Sequence, residues 1–241
     1  MGINVPNHIW DICRRYDAVP ISALPSRYSQ VFTAAGRLHG ELVIRCSTGP
    51  LAAAQAATLQ AMAGLETAPR VHDVMHVRNS VWTVMARVRP GWPLARDTSS
   101  ISALVAALKP LRNHPAPDGV TMSLTDWLAA RLKDDSLADR ASGQSVAPTC
   151  ERTEALRVLR QLSVPKGSEW LCHGDANPGN LLRGASQLWW IDPRGIAGEV
   201  EYDVAVMALK TSVDLVALAN GVGVDAERVR AWSTVAMAAR V

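Results

Sequence analysis

Hydrophobic and polar positions divide the chain into a first third with strand-like alternation and a remainder with helical periodicity. Residues 6–16 predict a short helix, and residues 28–46 alternate in patches with glycines at the turns, which predicts strands joined by hairpins. Residues 52–64 are rich in Ala, Gln, Leu and Met and predict a helix that crosses the sheet. Residues 81–88 return to β-branched and apolar side chains. The first part is therefore expected to be a small antiparallel sheet with one crossing helix.

A break follows this sheet at Arg89-Pro-Gly-Trp-Pro93, where no regular element continues. We place a boundary there and expect two lobes, residues 1–90 and residues 91–241. The second lobe has mostly helical patterns, interrupted by a predicted β-hairpin over residues 181–191. The predicted helices of this lobe cover residues 101–111, a segment that begins at Ser123, and residues 151–162, 203–220 and 225–240. The fold class that results is α+β.

Composition narrows the class of protein. Hydrophobic residues make up 48% of the chain and charged residues 20%, which is typical of a soluble globular protein. No apolar run is long enough for a membrane helix, and charged residues between Asp11 and Asp17 argue against a secretory leader, so we expect no membrane partner and a cytoplasmic location. The net charge of +3 comes without clustered Lys or Arg runs, which disfavours nucleic acid as a partner. A small molecule is the expected ligand.

The segment with the most chemistry contains His173-Gly-Asp175, Asn180 and, after the predicted hairpin, Asp192. A hairpin returns its second strand to the point where the first began, so Asn180 at the entrance and Asp192 at the exit should lie close together. Amide and carboxylate oxygens suit Mg²⁺, which uses one or two protein ligands and completes its shell with water and phosphate oxygens. Asp175 would then be free to accept a proton from a hydroxyl that attacks a phosphoryl group.

These residues resemble a known family. The pattern His-Gly-Asp-x-x-x-x-Asn, followed by Ile-Asp-x-x-Gly, is similar to the aminoglycoside phosphotransferase and choline kinase superfamily, which is related to the protein kinases. The longer string over residues 191–199 resembles the streptomycin 6-phosphotransferase and hydroxyurea phosphotransferase branch. The resemblance implies a two-lobed protein-kinase-like fold and ATP as phosphoryl donor. It also implies that Asp175 is the catalytic base, that Asn180 and Asp192 bind Mg²⁺, and that Asp203 braces the catalytic loop.

The first lobe departs from the family pattern at two positions. The family has a lysine on the third strand, which holds phosphates and pairs with a glutamate on the crossing helix; this chain has Arg45 and Gln55. Arg45 keeps the positive charge but replaces an ammonium by a planar fork. Two interpretations stay open, a matched variant of an active kinase or a pseudokinase that only binds ligands. The segment before the boundary resembles the adenine-binding hinge, so backbone groups near Arg87 and Arg89 are expected to bind the nucleotide.

The resemblance implies ATP- and Mg²⁺-dependent phosphorylation of a hydroxyl on a small molecule. An aminoglycoside such as streptomycin is the expected acceptor, with antibiotic resistance as the consequence. The alternative acceptors are hydroxyurea, an amino alcohol or a sugar. Four acidic residues near the C-terminal end would attract a cationic acceptor and are equally compatible with a solvated surface: Glu199, Glu201, Asp203 and Asp214.

Overall fold

The computed structural model describes residues 5–26, 29–94, 100–134, 145–162 and 170–241. The helices in these ranges are α1 (Asn7–Arg15), α2 (Ala52–Gly64), α3 (Ile101–Leu108), α4 (Leu124–Lys133), α5 (Thr149–Leu162), α6 (Val200–Lys210), α7 (Leu215–Val222) and α8 (Ala226–Ala239). The strands are β1 (Ala18–Leu24), β2 (Gln30–Gly36), β3 (Gly40–Thr48), β4 (Val71–Val77), β5 (Ser80–Ala86), β6 (Pro90–Pro93), β7 (Trp170–Leu171), β8 (Leu181–Gly184), β9 (Leu188–Trp190) and β10 (Ala197–Gly198).

The N-terminal part is a five-stranded antiparallel sheet with strand order β1-β2-β3-β5-β4. Successive side chains on a strand point to opposite faces, so Leu42 and Ile44 of β3 share one face. That face packs against the buried side of α1, which includes Ile9 and Ile12, and forms a separate small core. The predicted N-terminal helix therefore covers one side of the sheet.

The other face of the sheet packs against α2 and faces the helical part of the chain. Val43 and Met85 are paired across β3 and β5, and they join Leu59 and Met62 of α2 in the main hydrophobic core. Arg45 lies two residues after Val43 and therefore on this same face. The alternation of β3 thus places its one cation on the side where α2 and the helical part meet.

The hairpin of β8 and β9 is embedded in the helical part, with Leu181 opposite Trp190. β6 pairs with the free edge of β8, so the hairpin belongs to a three-stranded sheet. Trp190 is completely buried, and its indole Nε1 donates a hydrogen bond of 2.8 Å to the carbonyl of Ala107. These contacts hold both ends of the hairpin in fixed positions.

Two predictions about elements were wrong in detail. The helix predicted over residues 203–220 is two helices, because the chain leaves helical geometry at Thr211 and restarts where Asp214 accepts a hydrogen bond of 2.7 Å from the amide of Ala217. The strands β1 and β4 were not predicted. Both are edge strands with a register shift, and β1 contains Pro20, so their patterns are weaker than those of central strands.

The division of the chain into two lobes at residue 90 stays a prediction. In the structure, strand β6 begins at this residue and pairs with β8 of the helical part. Within the described ranges, the helices are all too short or too polar to cross a lipid bilayer.

Candidate active site

Asp203 of α6 holds the loop that follows β7. Its buried carboxylate accepts hydrogen bonds from the backbone amides of His173, at 2.7 Å, and Gly174, at 2.9 Å. Gly174 has a φ of +76°, and a Cβ there would lie 2.8 Å from the side chain of Ile196. Burial raises the pKa of Asp203 to about 7, and the two amide hydrogen bonds oppose that rise. Asp203 therefore shapes the loop from inside the core.

His173 connects the loop to the hairpin. The amide of Asp175 donates to its Nδ1 at 3.2 Å, so Nε2 carries the ring proton and donates to the carbonyl of Ile191 at 2.9 Å. Its ring lies against Trp190, with 4.7 Å between the ring centroids. Burial lowers the pKa of His173, which keeps the imidazole neutral. His173 therefore connects the loop to the hairpin from inside the core. It is completely buried, so a substrate at the surface cannot contact it.

The carboxylate of Asp175 is oriented by two amides of its own loop. The Nδ2 of Asn177 donates to Oδ1 at 3.0 Å, and the Nδ2 of Asn180 donates to Oδ2 at 3.2 Å. The side chain of Asp175 keeps 32% of its surface exposed, so a substrate hydroxyl can approach it. Each donor fixes the direction of one carboxylate oxygen.

Asn180 and Asp192 flank the hairpin as the sequence predicted. The amide of Ile191 donates to the carbonyl of Asn180 at 2.9 Å, which extends the ladder by one step and sets Asp192 beside Asn180. Asp192 has a left-handed φ of +58°, so the chain turns sharply there. Its side chain is 45% exposed.

The donor atoms at this point fit Mg²⁺. Asn180 uses its Nδ2 for Asp175, which leaves the amide oxygen for a cation, and Asp192 contributes a carboxylate. The described residues contain no group of three or more His, Cys, Asp or Glu side chains placed to hold a metal ion, so a metal here would depend on phosphate and water oxygens for the rest of its shell. Mg²⁺ binds in this way in nucleotide sites.

Arg45 crosses from β3 to the hairpin. Its Nη2 is hydrogen bonded to the carboxylate of Asp192, and its Nε donates to the hydroxyl of Ser29 at 3.4 Å. In the described part of the chain Arg45 forms no hydrogen bond with Gln55. Gln55 lies instead against Gly195, where a Cβ would come within 2.5 Å of its backbone nitrogen. The cation is therefore paired with the candidate metal ligand rather than with the crossing helix.

Arg87 and Arg89 gather around Glu41 at the start of β3. Arg89 binds its carboxylate with two hydrogen bonds, of 2.5 and 2.6 Å, and Arg87 Nη1 lies 3.6 Å from it. The amide of Arg87 donates to the carbonyl of Glu41 at 2.9 Å. The structure does not bring these arginines to Asp175 or Asp192, and the Arg87 amide is occupied within the sheet. Adenine binding near them stays a prediction.

The four acidic residues expected to attract a cationic acceptor have mostly structural contacts. Asp203 binds the loop amides, Asp214 caps α7, and Glu199 forms an ion pair of 2.6 Å with Arg228. Burial raises the pKa of Glu201. Asp203 is buried, Glu199 and Glu201 are half-buried and Asp214 is exposed, so a solvated surface describes Asp214 alone. Attraction of a cationic acceptor by these residues stays a prediction.

Sequence reasoning missed two residues around Asp175. Asn177 binds Asp175 with its Nδ2, while its Oδ1 accepts a hydrogen bond of 2.8 Å from the amide of Gly179. Arg194 Nη2 lies 3.3 Å from Asp175 Oδ2. The Asn-Pro-Gly turn was a usable signal for Asn177, because Asn favours the position before such a turn. Arg194 had no signal beyond its place two residues after Asp192.

A cavity of about 440 Å³ opens beside Asp175. Its lining residues are Leu94, Asp175, Asn177, Pro178, Gly179, Lys210 and Val241. A second cavity, of about 590 Å³, lies behind the hairpin between α3 and the loop after β8, and Asp175 is not among its lining residues. The first cavity is the one an acceptor could use.

Comparison with protein families gives a match between residues 21–235 and the family described as APH, phosphotransferase enzyme family. No curated protein matches the chain.

Solved structures share the fold at low sequence identity. An aminoglycoside-3'-phosphotransferase of type VIII is 18% identical, with a TM-score of 0.61, over 95% of this chain and 97% of that chain. Choline kinase LicA from Streptococcus pneumoniae is 12% identical, with a TM-score of 0.64, over 94% and 84% of the two chains. The AMP-bound spectinomycin phosphotransferase APH(9)-Ia is 10% identical, with a TM-score of 0.62, again over 94% and 84%. The expected α+β fold of the protein-kinase type is confirmed.

Proposed function

Because the chain belongs to the APH phosphotransferase enzyme family, we propose that it transfers the γ-phosphoryl group of ATP to a hydroxyl of a small molecule, with Asp175 as the base. One observation carries the assignment of residues. The side-chain amide of Asn180 donates to the Asp175 carboxylate at 3.2 Å. The backbone carbonyl of Asn180 accepts a hydrogen bond from the amide of Ile191, the residue before Asp192. The candidate base thus contacts the first candidate oxygen ligand directly, and a backbone hydrogen bond places the second, Asp192, one residue beyond that ligand's strand partner.

Asp175 acts on the acceptor. Its carboxylate, oriented by Asn177 and Asn180, receives the hydroxyl proton as the acceptor oxygen bonds to phosphorus. Phosphoryl transfer needs little covalent chemistry from the protein, so positioning and electrostatic stabilisation supply most of the rate. The cavity beside Asp175 is where the acceptor would lie.

Asn180, Asp192 and Arg45 act on the nucleotide. Asn180 and Asp192 would hold Mg²⁺, which when bound neutralises the charge of the phosphates. Arg45 is within hydrogen-bond distance of Asp192, so it is available to the same phosphates. Arg87 and Arg89 mark the segment whose backbone would receive adenine, and Arg89 itself is held there by Glu41.

The contact of Arg45 with Asp192 supports the active kinase over the pseudokinase. A guanidinium without its usual helix partner keeps its charge at the phosphate site, where a bidentate donor binds phosphate well. A pseudokinase would have no need for Asp175 to be held by two amides. A carboxylate held in one orientation favours its use as a general base.

We propose an aminoglycoside as the acceptor, with drug resistance as the result. The support is the similarity in fold to an aminoglycoside-3'-phosphotransferase and a spectinomycin phosphotransferase. The test is ADP release by the purified protein with Mg²⁺, ATP and either streptomycin or kanamycin, compared with Asp175→Asn. Release that depends on the drug and is absent in the variant supports the proposal. Release without any dependence on the drug rejects the acceptor and leaves the transferase activity in place.

A second acceptor class is favoured by the lining of the cavity. Among its described lining residues, Asp175 is the only acidic side chain, and Lys210 contributes a positive charge. Such a lining suits an acceptor without several positive charges, such as a sugar or hydroxyurea. Adding these compounds and choline to the same ADP-release assay separates the two classes.

A further inference from the structure

We infer that Arg194 is a positioning residue for Asp175 and supplies the positive charge that the catalytic loop itself lacks. The inference rests on the proposed function. Residues 173–180 contain neither Lys nor Arg, so a cation near the base must come from another segment. The segment after Asp192 supplies it, because Arg194 Nη2 lies 3.3 Å from Asp175 Oδ2.

The backbone of Arg194 is locked to the loop that it serves. Its amide donates to the carbonyl of His173 at 2.9 Å. The next residue, Gly195, has a φ of +75° and lies against the backbone of α2, where a Cβ would come within 2.5 Å of the nitrogen of Gln55. The position of the Arg194 backbone is thus set from both sides, by the loop and by the crossing helix.

The guanidinium of Arg194 rests on an aromatic platform. Its Cζ lies 4.6 Å from the ring centroid of Trp127, within the range of a cation–π contact. Arg131 also approaches this ring, at 5.6 Å, and its own guanidinium donates to the carbonyls of Ala239 and Arg240. Trp127 therefore has a fixed place in α4, and it holds the charge of Arg194 at Asp175.

The contacts of Asp175 are divided unequally between its two carboxylate oxygens. Among the described residues, Oδ2 accepts a hydrogen bond from Asn180 and forms the ion pair with Arg194, whereas Oδ1 accepts a hydrogen bond from Asn177. A carboxylate oxygen can accept two hydrogen bonds, so Oδ1 retains one for the substrate. Arg194 thereby directs the acceptor hydroxyl to Oδ1.

The step that follows is balanced in charge and atoms. The acceptor oxygen bonds to the γ-phosphorus, the bond from that phosphorus to the bridging oxygen breaks, ADP leaves, and the hydroxyl proton passes to Asp175 Oδ1. Arg194 holds the carboxylate in place until the proton arrives. Once the proton has neutralised Asp175, the charge of Arg194 is less compensated by the carboxylate and favours the negatively charged phosphoryl group nearby.

The test compares Arg194→Ala and Arg194→Lys with a matched arginine outside the site. Arg228 is a suitable control, because it also pairs with one carboxylate, Glu199 at 2.6 Å, and is similarly exposed, at 29% against 22% for Arg194. The readouts are ADP release with Mg²⁺, ATP and the most active acceptor of the panel, ATP affinity by calorimetry, and the melting temperature. Each variant is also assayed with low-millimolar guanidinium chloride, against sodium chloride at equal ionic strength.

We expect kcat of Arg194→Ala to fall about 10- to 100-fold, the effect of leaving a partly buried charged group without its partner, with ATP affinity nearly unchanged. Guanidinium should restore part of that loss, and Arg194→Lys should lie between the wild type and Arg194→Ala. Arg228→Ala should lower the melting temperature, leave kcat unchanged and show no rescue.

Three results would overturn the inference. The first is unchanged kcat in Arg194→Ala. The second is a loss of kcat without rescue by guanidinium and with a fall in melting temperature like that of Arg228→Ala, which would mark a structural arginine. The third is a wild-type protein that releases no ADP with any acceptor or with water, which would reject the proposed function and this inference with it; the first two reject the inference alone.

Discussion

The loop and hairpin around Asp175 differ from the strand that carries Arg45 in the distances along the chain that their contacts span. Asp175 is held by residues two and five positions away, and Asp203 reaches His173 across 30 positions. Arg45 reaches Asp192 across 147 positions. The acidic and amide side chains around Asp175 therefore form a local unit, defined here as residues 173–203, whose contacts lie close in sequence. The guanidinium of Arg45 reaches this unit only because the sheet and α2 pack on the helical part.

This difference separates two functions within the site. The local unit positions the base and the oxygen ligands mainly through contacts within residues 173–203. The charge for the phosphates depends on where β3 lies, and it is paired with Asp192. Substitution of the base in the local unit should therefore affect chemistry, whereas substitutions of Arg45 or of the candidate metal ligand Asp192 should affect nucleotide affinity.

The largest effect is expected for Asp175→Asn. The variant keeps the size of the side chain but cannot accept the hydroxyl proton, so turnover should fall at least about a hundredfold, the lower limit for a lost general base. ATP affinity should be nearly intact, because Asp175 lies on the acceptor side. Steady-state ADP release and calorimetry measure the two quantities. Retained turnover would show that another group is the base.

Asp192→Ala tests whether the carboxylate of Asp192 acts as a Mg²⁺ ligand in ATP binding. Loss of the carboxylate should weaken ATP binding in the presence of Mg²⁺ at least about tenfold, because a full charge opposite the cation is removed. Binding without Mg²⁺ should change little or improve, since Arg45 would be released toward the phosphates. An equal effect with and without Mg²⁺ would contradict the role of Asp192 as metal ligand.

Arg45→Ala should weaken ATP binding about tenfold, as expected for a lost hydrogen bond to a charged group, with kcat much less affected.

The double variant Arg45→Lys with Gln55→Glu introduces the residue pair that the family pattern has at these positions. Near-normal affinity in this double variant, measured by calorimetry, would show that the Arg and Gln pair is a matched alternative. A loss of kcat as large as that of Asp175→Asn would break the proposed separation of functions.

The smallest effect is expected for Asp203→Asn, and it is a change in stability. Burial raises the pKa of Asp203 from an ordinary value of 3.8 to about 7, so between these values the folded chain binds a proton that the unfolded chain has lost. Its contribution to stability is fully present below pH 3.8 and is lost as the pH rises toward 7.

Urea unfolding of Asp203→Asn over this range should show a weaker decline with rising pH than the wild type. At low pH the variant should be about 1–3 kcal/mol less stable, because an amide nitrogen cannot accept the hydrogen bond from His173 or Gly174. Parallel pH curves for the two proteins would show that Asp203 is not the titrating group.

The same difference in sequence distance explains what could be predicted. The helix over residues 52–64 and the pairing of Asn180 with the exit of the hairpin follow from local patterns, and the structure agrees with both. The partner of Arg45 could not be predicted, because it depends on how two distant parts pack. Arg194 could not be predicted for the same reason, since it contacts Trp127 on α4 as well as Asp175.

Edge strands and helix breaks were the weak points of the fold prediction. β1 carries a proline and a register shift, which an edge strand tolerates and a central strand does not. The break between α6 and α7 is marked by Asp214, whose capping role shows only once the amide of Ala217 is known to point at it. These features depend on neighbours that the pattern of apolar residues does not contain.

The most direct test of the proposed site is calorimetric titration of the purified protein with ATP, with and without Mg²⁺, beside Asp192→Ala. It requires no knowledge of the acceptor. The account predicts micromolar binding in the wild type that depends on Mg²⁺ and is at least about tenfold weaker in Asp192→Ala. An absence of binding up to millimolar ATP would contradict the assignment of Arg45, Asn180 and Asp192 as a nucleotide site.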